Sequence, residues 1–395
     1  MSVTAVNASS PPIFYLDVNL ATLDSGISNV QKVVNRSGAI LTNPEDYYVS
    51  VSRFICATQR VPLWQPQLNT TAPYNNGYNT QYSVTLTYNE FTSNPVYLQI
   101  INVNELTPPP TPPVTQQSTT GWGDVYSYYT IVEMVNTALS TAYNLLNTAT
   151  GGLLDSNPPV MIWNPVSQLF SLSCFPLSQY DQTNTTDIVK IYFNNNYKPF
   201  LLGWTLITET FSTTTPSGQD NLLVLKNYNN NTDPLPVNNA PVDPATTTLI
   251  MSQDITATWC FVALSKIQVI ASLPLAYPYL SDVPLPLQGT TFNNQSENIL
   301  LDFIVNYADG GANAFQQPIL YSANSDIFTS PQKLAGNNPI NNFYVDVRWV
   351  NLAGFSYQLQ TFGLRNTSIR FAFIHKDLIE NTEINKKSLT RKTLI

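Results

Sequence analysis

The chain of 395 residues is roughly two to three times the usual domain length, a size that all-β sandwiches reach as single domains. It is 43% apolar but only 11% charged, its polarity carried by Asn, Thr, Ser, Gln, Pro and Tyr, and its net charge is -8. That acidity excludes a nucleic-acid-binding body, since phosphate binding needs a basic footprint. The sparse charge suits a surface covered by neighbouring subunits, because amides and hydroxyls cost less to desolvate than ions.

In chain order, the opening MSVTAVNASSPP has neither a basic stretch nor an apolar core and does not read as a secretory signal. No run of apolar residues is long enough to suggest a membrane-spanning helix. Residues 13–20, IFYLDVNL, predict a short strand, and NPEDYYVSVSRFIC at 43–56 predicts a longer one opened by an Asn43-Pro44 turn. Tyr47, Val49 and Val51 share a face of that strand, whereas Phe54 and Cys56 fall on the other if the strand continues unbroken. A β-bulge near Arg53 restores the phase. Strands follow at 82–88 and 96–101, then the connector TPPPTPPV at 107–114, which cannot join a sheet ladder.

Residues 127–147 depart from the β pattern. Tyr128, Ile131, Val132, Val135, Leu139, Ala142, Tyr143 and Leu146 recur at helical spacing and predict one amphipathic helix. Strands resume at 159–163, 168–173 and 188–193, with a tight Asn164-Pro165 turn between the first two. PFLLGW at 199–204 reads as a buried turn or short helix, and strands at 221–226 and 248–252 flank a long Asn/Pro/Thr-rich loop. The most continuously apolar stretch, 257–275, reads as a central strand ending at Pro274. Strands at 299–305, 343–350, 355–359 and 368–374 complete the chain, and in the third-from-last Phe343, Val345, Val347 and Trp349 share the buried face. The two halves show no internal repeat.

The chemistry-bearing residues are few. A single histidine, His375, beside Lys376 leaves no His pair for a metal and a poor basis for a catalytic triad. Asp17, Asp46, Asp302 and Asp346 lie in strand-like segments and are expected to partner nearby cations or strand-end amides rather than to form an acid/base pair. Cys56, Cys174 and Cys260 have no metal-like spacing and read as buried free thiols of a reducing compartment. Phosphate-cradling glycine motifs are absent. No catalytic residue, metal, cofactor or small-molecule substrate is expected.

The ordered set of motifs resembles the penton, or minor capsid, proteins of polinton-like viruses and virophages. The resemblance begins with NPEDYYVSVSRF followed by VPLW and continues through YSYYTIVEMVNTALSTA, similar to that family's lone helix. PVMIWNPVSQLFSL, IYFNNNYKPFLLGW, TATWCFVALSKIQVIASLPLAYPYL, ILLDFIV, the run from IFTSPQKLAG to FSYQL, and SIRFAFIHK follow in order, covering residues 13–376. Where the family often has an acidic residue soon after Ser-Leu-Pro, this chain has Tyr279.

The resemblance implies an all-β fold, a single jelly-roll β-sandwich with long loops and one amphipathic helix. It also implies a structural virion protein, made and assembled inside the host cell, whose homopentamers stand at the icosahedral vertices among capsomers of the major capsid protein. Residues 1–375 are then the jelly-roll domain, with loop insertions at about 102–126, 205–247 and 281–298, and 376–395 a basic tail. In the tail, Lys386, Lys387, Arg391 and Lys392 are candidates to contact the genome, an internal membrane or the underside of a neighbouring capsomer. In this reading the bulge near Arg53 turns the chain from one sheet to the other. Two other readings of a large Tyr-rich β protein stay open: a double-jelly-roll major capsid protein, and a carbohydrate-binding β-sandwich.

Overall fold

The computed structural model describes residues 12–20, 27–56, 61–101, 123–154, 157–182, 187–209, 220–223, 225, 248–257, 260–261, 263–277, 280–281, 297–304, 319–323, 331–351, 356–362 and 367–379. The expected insertions fall largely outside this set, as do the Pro-rich connector and Lys386, Lys387, Arg391 and Lys392 of the tail.

The first part of the chain forms β1 (Ile13–Asn19), β2 (Ile27–Asn29), β3 (Gln31–Asn35) and β4 (Tyr47–Cys56). Next come β5 (Asn79–Tyr88), β6 (Phe91–Thr92), β7 (Val96–Gln99), helix α1 (Tyr128–Ala149), β8 (Val160–Asn164) and β9 (Leu169–Cys174). They are followed by β10 (Val189–Asn194), β11 (Leu206–Glu209), β12 (Asp220–Leu223) and β13 (Leu249–Ser252). The last part holds β14 (Leu264–Ala271), β15 (Leu280–Ser281), β16 (Glu297–Ile304), β17 (Ile319–Ser322), β18 (Gln332–Lys333), β19 (Asn342–Asn351), β20 (Ser356–Gln358), β21 (Gln360–Phe362) and β22 (Ser368–His375).

Eight of these strands make a jelly roll. One sheet runs β1-β22-β4-β17 and the other β3-β19-β14-β16, all neighbours antiparallel. Counting the eight strands along the chain, this is the order 1-8-3-6 facing 2-7-4-5, the pairing in which the first strand lies beside the last. Alternating apolar residues of both sheets meet between them. Phe343 crosses to Phe371 edge-on at 5.5 Å and Phe54 to Phe303 at 5.9 Å.

The strand over 47–56 has its bulge where the side chains lose step. Arg53 pairs with Arg370 and Val51 with Phe371, so Ser52 is the extra residue. Tyr47, Val49 and Val51 before it, and Phe54 and Cys56 after it, all reach the same core. The strand does not change sheets there: β4 pairs with β22 on both sides of the bulge. What the bulge accomplishes is phase correction within one sheet.

Between the end of β4 and the start of β14 the chain builds a second hydrophobic core. It is lined by β5 to β13 and by α1, whose Ile131, Met134, Val135, Ala138, Leu139, Ala142, Tyr143 and Leu146 form the buried stripe. Ser127 starts the helix, its hydroxyl accepting from the Thr130 N–H at 3.1 Å. The sheet β11-β12-β10-β5-β6 and the smaller sheet β13-β9-β8 flank this core. The predicted central strand over 257–275 is shorter than its apolar run, because the run serves both cores. Phe261 packs in the second core, and the strand itself begins at Leu264 in the first.

Candidate assembly surfaces

The four carboxylates expected in strand-like segments each face a cation, although Asp46 lies in a single 3-10 turn, Pro44–Asp46, just before β4. Asp17 accepts two bonds from the Arg370 guanidinium, at 2.7 and 2.8 Å, and lies 3.8 Å from Arg53. These three residues occupy one row across β1, β22 and β4. The hydrogen bonds from Arg370 hold the Asp17 carboxyl below its ordinary value, and Arg370 also lies over the Tyr15 ring, 5.7 Å from its centroid. Asp46 accepts from Lys376 at 2.6 Å, Asp302 from Lys266 at 2.7 Å, and the buried Asp346 from Arg348 at 2.8 Å. Paired in this way, they are spread over the sandwich rather than gathered in a cleft.

His375 closes β22 with its ring edge-on to Tyr47 at 5.3 Å and Nδ1 3.3 Å from Asp377. Among the described residues, no three His, Cys, Asp or Glu side chains come together as a metal site. The cysteines are free. Burial pushes the thiols of Cys56 and Cys260 up to about 12 and that of Cys174 higher still, which keeps them from ionising.

What the molecule presents outward is mostly uncharged. On the sheet β8-β9-β13, Val160 and Ile162 of the edge strand and Ile250 of the far strand face solvent, with Ser171 and Ser173 in the row between them. Asn136 of α1 closes the free edge of β8: its amide donates to the Met161 carbonyl at 2.9 Å and accepts from the Met161 N–H at 2.6 Å. The sequence offered no signal for this contact, since Asn136 sits on the polar side of the helical pattern.

The two cores meet at a polar junction. The Ala263 N–H donates to the Leu63 carbonyl at 3.0 Å. The side chain of Gln65 accepts from Asn351, at the end of β19, at 3.0 Å and donates to Asp124 at 2.7 Å.

At the other end of the jelly roll the chain enters β1 and leaves β22, with Ile13 opposite Ile374 and Tyr47 opposite His375. Beyond β22, residues 376–379 form a helical turn. Leu378 and Ile379 cover Ala372, Ile374, Ile13 and Tyr48 on the outer side of the sheet, a small apolar cluster separate from the main core. Lys386, Lys387, Arg391 and Lys392 lie outside the described residues.

A lone jelly roll with paired carboxylates, a second core set between two of its strands and a largely uncharged exterior defines the class: a structural β protein suited to burial by neighbours. The comparisons place it more closely. The family described as Sputnik minor capsid protein V18/19 matches residues 13–375, and the chain belongs to that family. It is a structural protein of the virion capsid.

The chain is 31% identical over 154 residues to "Uncharacterized protein V18" of Sputnik virophage, a match spanning 37% of this chain and 90% of the relative. A chain in the 3.5 Å cryo-EM structure of the Sputnik virophage superimposes with a TM-score of 0.72 at 25% identity, covering 93% of this chain and 99% of that one. The mavirus penton protein superimposes with a TM-score of 0.58 at 14% identity, covering 92% and 99%, a likeness of fold.

Proposed function

We propose that five copies of this chain form the capsomer at each icosahedral vertex, surrounded by capsomers of the major capsid protein. The observation that carries this reading is the jelly roll itself, one set of eight strands over the described residues, in a chain of a minor capsid family. A double-jelly-roll protein repeats that strand order, whereas the sheets between β4 and β14 follow a different one and pack around a helix. The likeness to the mavirus penton protein supports the same reading. A closed five-membered ring needs two different flanks on each subunit that fit one another, and the outer faces of the two jelly-roll sheets supply two such flanks. Neighbours can cover the uncharged exterior without stranding ions.

The domain division follows this reading: a jelly roll that makes the shell, and the unit between β4 and β14 standing on one end of it. Native mass spectrometry of the purified chain tests the stoichiometry. The expected species is five times 43.9 kDa; a three-chain species would assign the protein to the trimeric capsomers instead.

A further inference from the structure

Asparagine is plentiful in this chain, but glycine follows it only once, at Asn76-Gly77. That dipeptide lies within 61–89, a stretch that holds no charged residue. An asparagine side chain is open to attack by the backbone nitrogen of the residue after it, and glycine, lacking a Cβ, leaves that nitrogen unshielded. At Asn43-Pro44, Asn94-Pro95, Asn164-Pro165 and Asn338-Pro339 the same nitrogen belongs to a proline and has no proton to lose.

The turn that carries Asn76 leads into β5 and is tied at both ends. The Asn69 N–H donates to the Asn79 carbonyl at 2.8 Å, the Asn79 side-chain amide donates to the Tyr74 carbonyl at 2.8 Å, and the Tyr74 ring rests on Tyr97 with centroids 4.9 Å apart. Asn76 itself is exposed. Its Oδ1 accepts from the Tyr78 N–H at 3.0 Å and from the Asn79 N–H at 2.8 Å. Two backbone donors on one carbonyl oxygen draw electron density from Cγ, and they stand where negative charge collects once Cγ becomes tetrahedral. Gly77 follows at φ +80°, in the left-handed region. Among the described residues its N–H makes no hydrogen bond, so the attacking nitrogen is not tied up.

We propose that Asn76 is a site of self-modification, at which the Gly77 nitrogen closes on Asn76 Cγ and ammonia is released. A bond forms between Cγ and the Gly77 nitrogen, the Cγ–Nδ2 bond breaks, and Nδ2 leaves as ammonia with the proton that the Gly77 nitrogen gives up. A five-membered succinimide remains. Water then opens one of the two C–N bonds of the ring: opening at Cγ leaves an aspartyl residue at position 76, and opening at the backbone carbonyl leaves an isoaspartyl one. One water enters, one ammonia leaves, and nothing is oxidised or reduced. The aspartyl form keeps both acceptor bonds and strengthens them, since its oxygen is charged. The isoaspartyl form lengthens the backbone between Tyr74 and Asn79 and loosens the tie into β5. Either form brings a negative charge into 61–89, so a neighbour that covers this turn must desolvate an ion where it met only amides and hydroxyls. The chemistry does not depend on the vertex reading.

The test incubates the purified full chain in mildly alkaline buffer, folded and in denaturant, and follows each asparagine by peptide mass mapping with fragmentation that separates aspartyl from isoaspartyl. The expected result is that position 76 converts first in the folded chain, at least as fast as in denaturant, and yields both products. Conversion confined to the denatured chain would mean that the two bonds to Oδ1 lock the side chain instead of activating it, and overturns the proposal. An aspartyl product without its isoaspartyl partner would show direct hydrolysis by water and overturns the attack by Gly77. The Gly77→Ala variant is expected to convert at least about tenfold more slowly, because a methyl beside the nitrogen hinders its approach to Cγ. Running that variant in denaturant as well removes any effect of the substitution on the turn, and equal rates there would refute the role of Gly77.

Discussion

Gly203 shows how tightly single residues are set in the second core. Its φ of +91° lies in the left-handed region, and a Cβ there would stand 2.8 Å from the Ile255 carbonyl oxygen and 2.9 Å from its nitrogen. The adjoining turn is held by Gln253, fully buried, whose amide donates to the carbonyls of Phe200 and Leu202 and accepts from the Phe170 N–H. Gly203→Ala is therefore expected to cost about 2–3 kcal/mol through backbone strain, read as a fall in Tm of several degrees; an unchanged Tm would mean that the turn relaxes freely. Asp17 gives a smaller, pH-linked effect. Its carboxyl is held below the ordinary range by Arg370, so the pair stabilises the fold above the unfolded carboxylate value and loses that contribution as pH falls through the lowered folded value. The Tm gap between parent and Asp17→Asn should be widest near neutral pH, narrow toward acid and shrink with salt, since Asp17 is exposed. A gap that widens in acid contradicts this assignment.

At the level of elements, Ser52 governs β4. As the extra residue of the bulge it lets Val51 and Phe54 point into one core. Deleting Ser52 either turns Phe54 and Cys56 outward or turns Tyr47, Val49 and Val51 outward. The deletion variant is expected to be insoluble or to bind a hydrophobic dye strongly, whereas Ser52→Ala should fold as the parent does. A folded, soluble deletion variant would show that the register is not set there.

This bulge was legible in the sequence because a two-residue period records every change of phase. So was α1, where the apolar positions recur on one stripe and Ser127 caps the start. The split of the 257–275 run was not legible, since an apolar residue looks the same whichever core receives it: Phe261 and Leu264 are indistinguishable in pattern yet pack in different cores. The Asn136 contact with Met161 and the Gln65 contact with Asn351 were equally hidden. They join an amide side chain to a backbone 25 positions away and two amide side chains 286 positions apart, and pairing at such distances leaves no local mark.

For the whole molecule, the ordered motifs and the sparse charge pointed to a capsid jelly roll, and the strand order, the family match over 13–375 and the superposition on a Sputnik virophage chain agree with it. The sequence did not reveal that the chain between β4 and β14 gathers around its own core at one end of the sandwich, because only the register of β4, β22 and β1 fixes which end is which. That polarity distinguishes the two ends in any shell the protein builds. The most direct test of the central claim is a symmetric cryo-EM reconstruction of intact particles with density assigned to this chain. The account predicts five copies around each five-fold axis, with the strands of the jelly roll and the second core both fitting the density assigned to each copy. Density for this chain at the three-fold or pseudo-six-fold positions, with vertices occupied by another protein, would contradict it.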